Sequence, residues 1–171
     1  MTCVDLAVEP LRVGQVREAE LIAFYLPMHT ATRLAVTAME RVRGLNPEAR
    51  LCCYGLYAAM NESYLRGLGV EWGRSPTCPI VSQEKQKFLA PDRSDLPPLE
   101  RYAHLHLNGA RQRVGYTEAS RGCKHLCRHC PVVPVYNGRF RIVQAEVVLE
   151  DIRRQVAAGG SPAHGVSVAY L

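Results

Sequence analysis

Residues 113–131 read RVGYTEASRGCKHLCRHCP. The first seven predict a strand, and a cysteine loop follows it at once. Cys123, Cys127 and Cys130 have the spacing C-x3-C-x2-C. Cysteine thiolates hold iron–sulfur clusters, and closely spaced ones can wrap a cubane from a single loop. Three thiolates leave one of four irons without a protein ligand, which is the open position a reactive metal centre needs. Two other metal readings use the same residues. Structural zinc takes four ligands, and the fourth here would be His125, His129 or a distant cysteine. A ferredoxin-like cluster takes four cysteines in a different order of spacings, and Cys78 supplies the fourth only if its segment folds back. Arg121, Lys124 and Arg128 crowd the loop. They read as solvated basic surface, the alternative being counter-charges that favour thiolate.

Downstream, residues 144–158 (QAEVVLEDIRRQVAA) predict an amphipathic helix with Val148, Ile152 and Val156 on one face. Gly159-Gly160 ends it. Residues 166–171 predict a small strand. Upstream, residues 102–107 (YAHLHL) predict a strand, with a turn at Gly109. Residues 75–98 are polar and punctuated by Pro76, Pro79, Pro91, Pro97 and Pro98, the composition of an extended linker.

Before the linker, apolar runs alternate with helical patterns. Residues 2–8 (TCVDLAV) predict a strand. Residues 20–26 (ELIAFYL) form a nearly continuous apolar run, typical of a strand buried on both faces. Pro27 stops it. A helix is expected over 31–43, with Leu34, Ala38, Val42 and Leu45 at helical spacing, Thr30 or Thr32 as its cap, and Asn46-Pro47 at its end. Residues 50–55 predict a third strand, 58–68 a second helix closed by Gly67 and Gly69, and 70–72 a fourth strand. Cys52, Cys53, Met28 and Met60 read as core residues. Strands alternating with helices make a parallel sheet with helices packed on its faces.

The chain has 171 residues, 47% of them apolar and 22% charged, with a net charge of +5. That composition suits a folded α/β protein of one or two small domains. The charge demands no nucleic-acid partner. No apolar run approaches the ~20 residues that span a bilayer, and residues 1–10 lack the basic start of a signal peptide. Seven cysteines, an odd number with three in one loop, suit a reducing compartment rather than a disulfide scaffold. A cytoplasmic location without a membrane partner is therefore expected.

The cysteine loop, with the R-G-C ending of its lead-in from Thr117 to Cys123, resembles that of the radical S-adenosylmethionine (SAM) superfamily. The resemblance implies that Cys123, Cys127 and Cys130 hold a [4Fe–4S] cluster and that His129 lies near the SAM adenine. SAM would chelate the fourth iron, and one electron from a donor such as flavodoxin or ferredoxin would cleave it. The products would be methionine and a 5′-deoxyadenosyl radical, which takes hydrogen from a substrate the sequence does not name. Residues 111–171 then correspond to the first βα unit of a partial (β/α) barrel, residues 75–110 to a linker, and residues 1–74 to a Rossmann-like domain similar to cobalamin-binding ones. Cobalamin is a candidate cofactor of that domain. The motif D-x-H-x-x-G is absent, because His29 stands in Pro-Met-His-Thr.

The family's barrel has about six βα units and this chain supplies one. Its cobalamin-type domain has about five strands and this chain supplies four. The expectation is a piece of such an enzyme, truncated at both ends, that binds a cluster weakly and catalyses nothing alone. The rival expectation is a small zinc- or cluster-stabilised binding module.

Overall fold

The computed structural model describes residues 2–70, 72–73, 87–102, 104–159 and 166–170. It is mixed α/β and divides into two units.

One unit comprises residues 11–83 and 126–137. Its elements are α1 (Val13–Glu18), β1 (Leu21–Tyr25), α2 (His29–Leu45), β2 (Arg50–Tyr54), α3 (Leu56–Met60), α4 (Glu62–Gly67), β3 (Trp72–Gly73) and α5 (Val133–Tyr136). The three strands pair in parallel in the order β1-β2-β3, as the alternation of strands and helices predicts. Leu26, Met39, Val42, Leu51, Cys53, Leu65 and Val70 form the core.

Several local expectations are corrected here. Residues 20–26 are not buried on both faces. Phe24 is buried, whereas Leu21 is 58% exposed and Tyr25 is also exposed. Strand side chains alternate between faces, and Phe24 lies on the buried face while Leu21, Ala23 and Tyr25 share the exposed one. Tyr25 and Tyr54 are register partners on that face, with ring centroids 5.1 Å apart. The buried stripe of α2 is Thr32, Ala35, Met39 and Val42, and Leu34 is 57% exposed. Thr32 tolerates burial because its hydroxyl donates to the Met28 carbonyl at 3.1 Å. Neither Thr30 nor Thr32 caps the helix; Met28 holds that position without a side-chain cap. Asn46 does end it, accepting from Ala49 N–H and donating to the carbonyls of Val16, Arg17 and Ala19. The expected helix over 58–68 is two short helices. Asn61 interrupts them, its side-chain amide donating to the Tyr57 carbonyl at 2.7 Å. Met28 and Met60 are exposed rather than core.

Cys53 is in the core, as expected, and burial pushes its thiol up to about 12, with Cys52 adding to the shift. A folded-state value above the ordinary 9.0 gives stability that is full below about pH 9 and lost as pH rises toward 12. The thiolate is the nucleophile, so iodoacetamide at pH 8 is expected to modify exposed Cys3 and spare Cys53 in the native chain. Mass spectrometry of the alkylated native protein checks this, and rapid Cys53 modification would contradict it.

Gly55 links β2 to α3 with φ +105°. Leu26 N–H donates to the Tyr54 carbonyl at 2.7 Å, and Tyr57 N–H donates to the Leu26 carbonyl at 2.9 Å, so the two backbones run in contact. A Cβ at residue 55 would lie 2.7 Å from the Leu26 carbonyl oxygen. Gly55→Ala is therefore expected to cost about 1–3 kcal/mol, read as a lower urea midpoint by circular dichroism. An unchanged midpoint would mean that the turn relaxes freely.

The other unit comprises residues 1–10, 84–125 and 138–171. It contains a 3₁₀ turn (Leu99–Arg101), β4 (His104–Leu107), β5 (Ala110–Arg113), β6 (Gly115–Gly122), β7 (Phe140–Ile142), α6 (Ala145–Ala157) and β8 (Val166–Tyr170). Residues 2–8 are not a strand. The Asp5 carboxylate accepts from Ala7 N–H, and its carbonyl accepts from Val8 and Glu9 N–H, which turns the chain. This segment ties to its own unit through Cys3 N–H to the Asp95 carboxylate and Arg101 to the Val8 carbonyl. Among the described residues the short parallel sheet accordingly has three strands where four are expected.

In the expected linker, residues 87–98 have no regular helix or strand, whereas β4 and β5 form an antiparallel hairpin. Asn108 and Gly109 at its tip have φ of 50° and 76°, the left-handed pair of a tight hairpin turn. Cys78 lies outside the described residues. The expected strand 113–119 is β6, one of three strands in the order β7-β6-β8. β8 is parallel to β6, and α6 lies between them in sequence. β7, which the sequence reading missed, is antiparallel to the end of β6.

The buried face of α6 is also corrected. Asp151 and Gln155 are its buried residues, and Asp151 is 1% exposed. Val148, Ile152 and Val156 are only half-buried. Polar burial is tolerated because each group is satisfied. Arg93 forms an ion pair with Asp151, and its second nitrogen reaches the other carboxylate oxygen at 3.1 Å. Gln155 accepts from Tyr116 N–H at 2.7 Å, donates to the Tyr116 carbonyl at 2.8 Å and donates to Asp151 at 3.1 Å. Gly115 makes room for this clamp, since a Cβ there would lie 2.5 Å from Gln155 Oε1. Gly159 closes α6 at φ +95° as expected, with its N–H donating to the Val156 carbonyl.

Candidate metal centre

β6 carries the chain to Gly122, and Cys123 is the first residue beyond its carboxyl end. Gly122 has φ +85° and ends the strand in the left-handed region. Residues 123–130 have no helix or strand. Cys130 N–H donates to the Cys127 carbonyl at 3.3 Å, so the last two cysteines flank one tight turn. Val133 N–H donates to the Cys130 carbonyl, and α5 begins there.

All three thiols are free. Cys123 and Cys130 are half-buried and Cys127 is exposed. His125 and His129 are both exposed. The division between the two units passes through the loop, with Cys123 in one and Cys127, His129 and Cys130 in the other. Among the described residues, no three His, Cys, Asp or Glu side chains are gathered as ligands of one metal ion. By its chemistry the donor set fits a cluster, with three free thiols in one irregular loop.

The Arg121 guanidinium pairs with Glu118 at 2.7 Å, and Lys124 Nζ lies 5.6 Å from the centroid of the Phe140 ring. Two of the loop's cations thus have intramolecular partners rather than being wholly solvated. His29 is exposed in the first turn of α2.

Sequence reading missed the clamp that sets α6 on β6. Asp151 and Gln155 stand in EDIRRQ, a run that reads as solvated helix surface, and nothing local singles out Arg93 as their partner. It also missed β7, whose three residues leave no periodic signal. No helix among the described residues is long and apolar enough to cross a membrane. No protein-family model, curated protein or solved structure matches this chain.

Proposed function

We propose that this chain carries the cluster-binding segment of a radical SAM protein. The observation that supports the reading is the placement of three free thiols, C-x3-C-x2-C, at the carboxyl end of a strand that enters a β-α-β unit, β6 to α6 to parallel β8. Loops at the carboxyl ends of parallel strands are where α/β folds place their chemistry. On this reading β6 and α6 are the first βα unit of a partial barrel. The three-stranded parallel sheet is a cobalamin-binding-like domain, with no residue assigned to cobalamin.

Cys123, Cys127 and Cys130 would hold a [4Fe–4S] cluster and leave its fourth iron for the amino and carboxylate groups of SAM. When bound, that cluster supplies the electron that breaks the SAM sulfonium and releases a 5′-deoxyadenosyl radical. The chain's own contribution is positional. The turn over Cys127–Cys130 sets the spacing of two donors, His129 would lie along the adenine, and the clamp on α6 holds the strand that delivers Cys123.

Anaerobic reconstitution with iron and sulfide tests this, with iron counted and electron paramagnetic resonance recorded with and without SAM. The expected result is about four irons per chain and a spectrum that changes when SAM is added. Zinc held by four protein ligands, with His125, His129 or a distant cysteine as the fourth, would replace the reading with a structural site. A colourless chain would remove it.

A further inference from the structure

The alternation of β6 breaks at Ala119. Its buried positions are Gly115, Thr117, Ser120 and Gly122, and Gly115 lies against Gln155 of α6. This is the face that α6 covers. The register with β8 shifts between Glu118 and Ser120, which makes Ala119 the extra residue of a β-bulge. Without the bulge, Arg121 would alternate onto the α6 face. With it, Arg121 joins Tyr116 and Glu118 on the opposite face, and Glu118 accepts from its Nε at 2.7 Å. Arg141 of β7 is the register partner of Arg121, so both side chains share that face, with Cβ atoms about 5 Å apart. Both are half-buried. Among the described residues, no carboxylate pairs with Arg141, and the chain has no Asp or Glu from Ala119 to Ala145.

Like charges directly across a strand pair disfavour that pairing, so the bulge creates an opposition that works against β7. An oxyanion between the two guanidinium groups turns the opposition into binding, because each presents a planar fork of N–H donors that matches phosphate or carboxylate oxygens. We propose that Arg121 and Arg141 form a clamp for an oxyanion, the phosphate ester or carboxylate group of the substrate. The assignment to a substrate rests on the cluster reading above. Helices form the outer ring of a (β/α) barrel, so the face of β6 away from α6 is the inward one. On it Arg121 stands two residues before Cys123, in the same unit. Bulges beside active sites re-aim side chains in this way.

The test is calorimetric titration of the full chain with methyl phosphate and, separately, with acetate. The probe that binds more tightly names the class of anion. Arg141→Gln is expected to weaken that probe roughly tenfold or more. Arg141→Lys keeps the charge without the fork and should recover little of the loss. Arg153→Gln removes the same charge from an exposed position on α6 and should bind as the wild type does. Because Arg141→Gln also relieves the opposition to Arg121, its urea midpoint should equal or exceed that of the wild type. Equal weakening by Arg141→Gln and Arg153→Gln would mean diffuse attraction and overturn the clamp. A lower midpoint for Arg141→Gln would make Arg141 a structural residue and overturn it too. A chain that takes up iron but binds neither probe overturns the clamp alone. A chain that binds methyl phosphate but takes up no iron overturns the assignment of that anion to the cluster's substrate.

Discussion

Cys127→Ala is expected to abolish stable cluster uptake, taking reconstituted iron from about four per chain to near zero. Cys123→Ala and Cys130→Ala should do the same. Two thiolates cannot hold three corners of a cubane, and His125 and His129 are poor substitutes for a charged sulfur donor. Cys3→Ala serves as the control, because Cys3 is exposed and far from the loop in sequence, and its iron content should match the wild type. His129→Ala separates the cluster from zinc. Under the cluster reading it keeps its iron and loses the spectral response to SAM. Under a zinc reading with His129 as the fourth ligand it loses the metal. Iron uptake that survives each single cysteine replacement would end the assignment.

Arg93→Ala should destabilise the unit carrying α6 by about 3 kcal/mol. Asp151 is almost fully buried, and Arg93 is its only cationic partner among the described residues. Removing one member of such a pair leaves an uncompensated charge, which costs about 3–5 kcal/mol when both are buried. Arg93 is partly solvated, which places the value at the low end. Gln155 would remain hydrogen-bonded to Asp151 at 3.1 Å but adds no charge. Replacing both charges, Arg93→Met with Asp151→Leu, should recover most of the loss, because no buried charge then remains. Urea unfolding followed by circular dichroism measures all three proteins. A single replacement no worse than the double one would show that Asp151 is effectively solvated.

The clamp also explains why the helix after the cysteine loop was legible in its extent and not in its orientation. Residues 144–158 carry the composition and glycine stop of a helix, and α6 runs from Ala145 to Ala157. Periodicity of Val148, Ile152 and Val156 points to an apolar face, yet the face against β6 is Asp151 and Gln155. A buried carboxylate is permitted only by a partner, and its partner, Arg93, is 58 residues away in sequence. The same logic applies to α2, where Thr32 is buried because its hydroxyl bonds within its own turn.

Local sequence alone determined where the chain turns and stops, because those choices depend on a few neighbouring residues. Asn46 ends α2, Asn108-Gly109 makes the hairpin and Gly159 closes α6. It likewise determined that three thiols share one loop after a strand, since spacing is a covalent property. Tertiary structure decided which strands pair and in which direction. It set the antiparallel β7 against β6 and placed Arg141 opposite Arg121. Those outcomes rest on contacts between segments distant in sequence, whose energies no local pattern of residues records.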